Sequence, residues 1–184
     1  MSNVIAGPIP IRSTARLVLR EFATDDVDDI HSLDSDPRVM TYVGDGSVAS
    51  REDAEKTIER VLARYREFPN LGAWHASRRD TGRFIGWVSL KHPGESSDIE
   101  IGYRLRPFAW GQGFATELAA AMRDRGFGPL NLKRIIGVTH PDNAASQRVL
   151  TKIGMHDEGW GHYYDKDLRL FAIGREAWRG SSKT

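Results

Sequence analysis

The sequence predicts an α/β domain built on a mixed β-sheet, and three observations lead there. The apolar periodicities run in the order strand, two helices, three strands, helix, strand, helix, two strands. The early strands follow one another through short turns, as antiparallel neighbours do, whereas the later strand–helix–strand stretch needs a crossover between parallel strands. The 184 residues are 40% hydrophobic and 28% charged, enough to fill one core and not comfortably two, so a single domain over 1–184 is expected.

Residues 1–12 carry Gly7, Pro8 and Pro10 and are expected to be an irregular lead-in. Residues 14–22, TARLVLREF, alternate Leu17 and Leu19 with Val18 and Arg20 and predict the first strand. Thr24, Asp25 and Asp26 are read as the cap and acidic first turn of a helix carrying Val27, Ile30 and Leu33, which Asp36-Pro37 stops. Ser50 is expected to cap a second helix with the apolar stripe Ala54, Ile58, Val61, Leu62 and Tyr65, ended by Pro69-Asn70. Strands follow at 72–78, 83–91 and 98–106, separated by Asp80-Thr81-Gly82 and by His92-Pro93-Gly94. A helix over 115–126, a strand over 134–139 and a helix over 143–153 closed by Gly154 come next. Two strands at 156–164 and 167–177 pair around Asp165-Lys166, and 179–184 are expected to fray.

Composition narrows the function classes. A formal charge of +1 with interspersed signs gives no basic field of the kind that nucleic acid or a membrane surface attracts. The chain has no cysteine, which excludes a disulfide framework, a thiolate metal site and a cysteine nucleophile. No signal peptide is legible and no stretch approaches the roughly 20 apolar residues of a membrane span, so a cytoplasmic protein is expected.

Two segments carry chemistry. Trp110-Gly111-Gln112-Gly113-Phe114-Ala115-Thr116 follows a strand and opens a helix. Such a helix end has unpaired amides and a positive dipole, and glycines let an anion approach the backbone. A nucleotide P-loop would need Lys-Ser/Thr after the second glycine, which is missing. A dinucleotide site would need an acid about 20 residues on, where Asn131-Leu132-Lys133-Arg134 stands. The pyrophosphate of coenzyme A and a plain tight turn remain. In the second segment, HPDNAASQRVLTKIGM, Ser146 shares a helical face with Val149, Leu150 and Ile153, and Asn143 lies one turn earlier. Two polar groups leading into a buried stripe point to a site. The plainer reading makes Asn143 or Asp142 a cap and has Ser146 bond its own helix backbone.

The segments TARLVLREF, DPRVMTYV, EIGYRLRPFAWGQGFATEL, NAASQRVLTKIGM and DLRLFAIGREAW resemble, in order and over nearly the whole chain, the GNAT superfamily of N-acetyltransferases. Within it they are similar to the ribosomal-protein alanine N-acetyltransferases. The resemblance implies a strongly twisted mixed sheet of about seven strands flanked by about four helices, whose fourth and fifth strands splay to admit a pantetheine arm. It implies acetyl-CoA as co-substrate, with no metal, and a primary amine as acceptor, either a protein N-terminus or a small molecule. Gly111, Gln112, Gly113, Phe114, Ala115 and Thr116 would hold the pyrophosphate, and Leu105 and Asn143 the pantetheine. The family's broad pattern has Arg or Gln where Phe108 stands, so no side-chain phosphate contact is expected there. A homodimer is a family-level expectation.

For catalysis, an aliphatic amine is largely protonated at neutral pH, so a base or a water chain leading to one is useful; the resemblance makes Glu100, which precedes the splayed strands, the candidate. The plainer reading leaves it a solvated carboxylate alternating with Ile99 and Ile101. The resemblance makes Ser146 the donor to the leaving thiolate, with Tyr163 and Tyr164 as alternatives. The absent cysteine together with the resemblance implies direct transfer in a ternary complex. The first two helices, the loop at 40–50 and the final hairpin, carrying Tyr42, Asp45, Trp74, Trp87, His162, Tyr163 and Tyr164, are expected around the acceptor, with most of the aromatics as core or rim. The rival readings are a noncatalytic acyl-CoA-binding module, which would keep the glycine turn and Asn143, and a nicotinamide oxidoreductase, which the missing acid disfavours.

Overall fold

Seven strands form one sheet in the order β1-β2-β3-β4-β5-β7-β6. The computed structural model describes residues 10–11 and 13–181. β1 (Leu17–Glu21), β2 (Gly72–Arg78), β3 (Phe84–Lys91) and β4 (Glu100–Leu105) are successive antiparallel neighbours. β5 (Arg134–Thr139) runs parallel to β4, and β7 (Lys166–Gly174) lies between β5 and the edge strand β6 (His156–Tyr163). The helices are α1 (Val27–Asp34), α2 (Pro37–Met40), α3 (Arg51–Glu67), α4 (Phe114–Phe127), α5 (Ala144–Lys152) and α6 (Arg175–Ser181). Most of the lead-in and the residues 182–184 lie outside the described residues.

The sequence rules explain most of these elements. Ser50 caps α3 in a reciprocal box with Asp53. Gly154, at φ +87°, closes α5 in the left-handed region. Ala76, Ile85, Leu90, Ile101, Leu118, Met122, Ile135 and Leu150 make the heart of the core between the sheet and the α4–α5 layer. Phe22, Ile30, Ala54 and Ile58 fill a smaller core under α1 and α3 on the opposite face.

The structure corrects four readings. Thr24–Asp26 is a 3-10 turn whose N-cap is Ala23, not a Thr24 cap; Asp26 accepts the Ala23 N–H and grips Arg20. Pro37 starts a helix as well as ending one. Asp36 accepts the Arg38 N–H and Pro37 takes the first helical position, where its missing N–H costs nothing. Residues 175–181 leave the sheet as α6, so β7 is shorter than expected and 179–181 are helical. The last hairpin turns at Tyr164-Asp165, one residue early, with both residues left-handed at φ +56° and +57°. That is the twist a two-residue hairpin needs, adopted here without glycine.

Gly102 makes no bulge, because the β3–β4 register is unbroken. It does mark a close approach: a Cβ there would lie 2.8 Å from the Ser89 hydroxyl.

Candidate active site

The site begins where β4 and β5 part. Their register contains one pair, Glu100 with Ile136, next to the bond from the Ile136 N–H to the Ile99 carbonyl at 2.9 Å. The Arg106 N–H turns the other way, to the Ile85 carbonyl on β3. Backbone groups alternate in direction along a strand, so Ile101, Tyr103 and Leu105 turn theirs towards β5, Tyr103 and Leu105 beyond the last pair between the two strands. At the far end of this edge the Leu105 carbonyl accepts the Trp110 indole N–H at 2.8 Å. The result is a strand edge inside the sheet, open to an extended ligand.

Glu100 sits at the closed end of this opening. It is 5% exposed, so it is not the solvated carboxylate of the plainer reading. Its carboxylate accepts the Tyr164 hydroxyl and lies 3.5 Å from the Lys91 ammonium, which is also 2.6 Å from the Tyr164 oxygen. Lys91 faces Glu100 because the two are register partners on β3 and β4. Burial pushes the Glu100 carboxyl above the ordinary carboxylate range, against the opposing pull of the Lys91 charge, the Tyr164 hydroxyl and the Val138 N–H. Burial likewise holds the Lys91 ammonium below its usual value, with Glu100 opposing. Tyr164 reaches this pair from the left-handed hairpin turn, and its own hydroxyl is pushed up, chiefly by burial.

The glycine turn lies at the other end of β4. Gly111 and Gly113 have φ +73° and +78°, and Gly113 is the N-cap of α4 with no side chain to fill that role. The first intrahelical bond is from the Glu117 N–H to the Gly113 carbonyl, so the amides of Phe114, Ala115 and Thr116 precede the helical ladder. The turn is clamped by the residues that lead into β1. Arg16 pairs with Glu117 at 2.6 Å and donates to the Gln112 carbonyl at 3.0 Å, while Thr14 donates to Glu117 at 2.5 Å. Burial alone would raise the Glu117 carboxyl, but Thr14 and Arg16 together hold it below its ordinary range. Gln112 itself points back to the Phe108 carbonyl at 2.7 Å, and the Arg83 guanidinium lies over the Phe108 ring at 3.7 Å. A hollow of about 330 Å³ nearby is lined by Ala15, Arg16, Arg78, Arg79, Asp80 and Phe114; it includes neither Glu100 nor Ser146.

Asn143 caps α5 as expected, accepting the Ser146 N–H at 3.0 Å through its side-chain oxygen. That leaves the two donors of its amide as a separate set. Ser146 bonds the hydroxyl of Tyr103 at 2.9 Å, so it does not follow the plainer expectation of a bond to its own helix. Tyr103 also donates to the Ser146 carbonyl at 3.2 Å.

The chain as a whole is similar to known proteins. The model of the acetyltransferase (GNAT) domain matches residues 16–156. The chain belongs to this family. Among its relatives, an uncharacterized N-acetyltransferase of Bacillus subtilis, YoaA, is 36% identical over 151 residues, covering 82% of this chain and 85% of its own. A GNAT-family acetyltransferase from Bacillus anthracis superposes with a TM-score of 0.76 at 26% identity, over 89% of this chain and 98% of that one. A ribosomal-protein α-N-acetyltransferase solved with coenzyme A has the same fold, with a TM-score of 0.75 at 18% identity over 91% and 98% of the two chains.

As a GNAT protein, the chain is of the acetyl-CoA-dependent N-acetyltransferase family. Among the described residues no helix is long and apolar enough to cross a membrane. Around Glu100, the loop after α2 and the β6–β7 hairpin are tied together by the Lys166 ammonium on the Gly44 carbonyl. Tyr42 stacks on His140 at 5.2 Å, and Tyr163 donates to Asp98 at 2.8 Å. Trp74 is core, and His162 pairs with Asp167 in solvent. Asp26, Asp29 and His75 cluster tightly, but Arg20 fills both oxygens of Asp26 at 2.6 Å. Sequence reasoning missed Lys91 and Tyr103 as members of the site. The signal for Lys91 was available only through the β3–β4 register, and Tyr103 lay inside the expected 98–106 strand without a mark of its own.

Proposed function

We propose that the chain transfers acetyl from acetyl-CoA directly to a primary amine in a ternary complex. The observation that carries this reading is Glu100, buried at the point where β4 and β5 separate and held between Lys91 and Tyr164. A carboxylate whose proton affinity is raised by burial suits a base working near neutral pH. In this reading Glu100 takes the proton of the amine, directly or through water. The amine nitrogen attacks the thioester carbon, and the C–S bond breaks as the C–N bond forms. Ser146 donates a hydrogen bond to the departing sulfur.

The amides of Gly111, Gln112, Gly113, Phe114, Ala115 and Thr116 hold the pyrophosphate at the positive end of α4. Leu105, with its neighbours on the open edge of β4, pairs with the pantetheine, and the free donors of Asn143 meet its carbonyls. Much of the rate comes from holding the two substrates in register. The acceptor is a protein N-terminus or a small-molecule amine; the enzyme works without a metal, and a homodimer is compatible with it.

Calorimetric titration with acetyl-CoA, with NADH as the control, tests the co-substrate. A screen of amines followed by thiol release tests the reaction, with no background from protein cysteine. Acetyl-CoA binding without turnover on any amine would favour the noncatalytic module, and trapping an acetylated protein would overturn direct transfer.

A further inference from the structure

The α5 end of the opening contains a contact that the proposed chemistry does not by itself require. Tyr103 stands on β4 three residues beyond Glu100, on the opposite face of the strand. Its side chain packs with the core under α4 and α5, and its hydroxyl reaches the first turn of α5. There it is 2.9 Å from the Ser146 Oγ and 3.2 Å from the Ser146 carbonyl oxygen. The Ser146 N–H is already taken by Asn143 at 3.0 Å. Every polar group of Ser146 is therefore held by one of two side chains, and its hydroxyl by Tyr103.

A phenol has one hydrogen, and here it has two acceptors. When it points to the Ser146 carbonyl, the 2.9 Å contact requires the serine to donate to the phenol oxygen, and the serine hydrogen is spent. When it points to the serine Oγ, the serine hydrogen is free to turn to a third group.

We propose that Tyr103 is a positioning residue for Ser146, switching its one hydrogen from the Ser146 carbonyl to the Ser146 hydroxyl so that the serine donates to the departing coenzyme A sulfur. The inference rests on the reading of Ser146 given above. The Tyr103 hydroxyl itself touches neither substrate and yields no proton. Burial pushes its hydroxyl up to about 12, which keeps it a donor at working pH. Donating to Ser146 while the serine donates onward polarises the serine hydroxyl, as consecutive hydrogen bonds in a dry site do.

The test is a double-mutant cycle of Tyr103→Phe and Ser146→Ala, read as kcat, KM and calorimetric Kd for acetyl-CoA, with thermal unfolding alongside. Tyr103→Phe should lower kcat about tenfold and leave acetyl-CoA affinity within about twofold, as expected when one hydrogen bond to a transition-state donor is lost. In the Ser146→Ala background, Tyr103→Phe should cause no further loss. An equal loss in both backgrounds would make Tyr103 a packing residue and overturn the inference. Unchanged kcat for Tyr103→Phe beside a slow Ser146→Ala would overturn it too, leaving the role of Ser146 standing. Unchanged kcat for Ser146→Ala would remove the reading of Ser146 and this inference with it. Tyr103→Gln keeps a donor and serves in the same cycle if the phenylalanine variant does not fold; it should recover part of the rate only when Ser146 is present.

Discussion

Removing the Lys91 charge is the most direct way to ask whether Glu100 sets the rate. Lys91→Met keeps the stem and deletes an ammonium 3.5 Å from a carboxylate that is 5% exposed. At that separation two unit charges attract by about 5 kcal/mol at an effective dielectric of about 20. Lys91 has 25% of its side chain exposed, so water screens part of this. Losing a surviving contribution of roughly 1.4–3 kcal/mol lowers the ionised fraction of Glu100 about ten- to a hundredfold where protonation competes. The sign follows from the direction of the effects: burial already raises the carboxyl, Lys91 opposes that rise, and its loss raises the carboxyl further. The acid limb of kcat/KM against pH should move to higher pH, with the rate at neutral pH falling tenfold or more and recovering in alkali. Lys91→Arg should keep the parent profile approximately. The assay is thiol release with one amine throughout, so that ionisation of the acceptor cancels between variant and parent. A limb in the same place for Lys91→Met and the parent would refute the coupling and with it the role of Glu100 as the titrating base.

Gly113→Ala puts an L-residue at φ +78° with its methyl 3.6 Å from the Arg16 guanidinium; stability should fall by about 1 kcal/mol while calorimetry shows a much larger loss of acetyl-CoA affinity, and an equal loss in both would reduce the turn to scaffolding. Gly137→Ala places a methyl 2.6 Å from Leu150 Cδ2, and urea unfolding should show a cost of about 1–3 kcal/mol from overpacking between β5 and α5; an unchanged midpoint would mean that α5 shifts freely. Burial holds the imidazole of His75 below its ordinary value, against the opposing effect of its bond to the Asp29 carboxylate. Its folded-state proton affinity is thus lower than in the unfolded chain, so its contribution is complete above about pH 6.5 and is lost as pH falls through the lower folded value. His75→Phe should flatten that acid decline in unfolding midpoints measured from pH 7.5 to 5, and an identical decline would assign it to other groups.

The strands were legible because their alternation and turns are local. Gly72–Arg78 and Arg134–Thr139 lie where the period of two places them. The glycine turn and the α5 cap were legible for the same reason, since Gly113 and Asn143 act on backbone within one turn of themselves. The errors fall where local chemistry is ambiguous. Pro37 can stop a helix or begin one, and only the Asp36 cap decides. Tyr164-Asp165 lacks the glycine that marks a left-handed turn, so the hairpin was placed one residue late. That slip matters for function, because the true turn is what carries the Tyr164 hydroxyl to Glu100. The Lys91–Glu100 pair and the Tyr103–Ser146 bond join residues 9 and 43 positions apart through strand register and helix docking. No window of sequence contains that information.

The parity of β4 orders the chemistry further. Glu100, Gly102 and Arg104 point to the face covered by α1 and α3, where Arg104 pairs with Asp34 at 2.6 Å. Ile101, Tyr103 and Leu105 point to the α4–α5 face. A thioester lying along the open edge between β4 and β5 would therefore have the proposed base on one side of the sheet and the proposed donor to sulfur on the other. Attack on a carbonyl brings the nucleophile in and sends the leaving group out along different directions, so a single strand can present the two groups to opposite sides of one carbon. Gly102, between them, keeps that edge clear, since a Cβ there would strike the Ser89 hydroxyl at 2.8 Å and push β4 away from β3. On this argument Gly102→Ala should slow transfer without weakening the hold of the glycine turn on coenzyme A. A matched loss in kcat and in acetyl-CoA affinity would instead mean that the strand as a whole had moved.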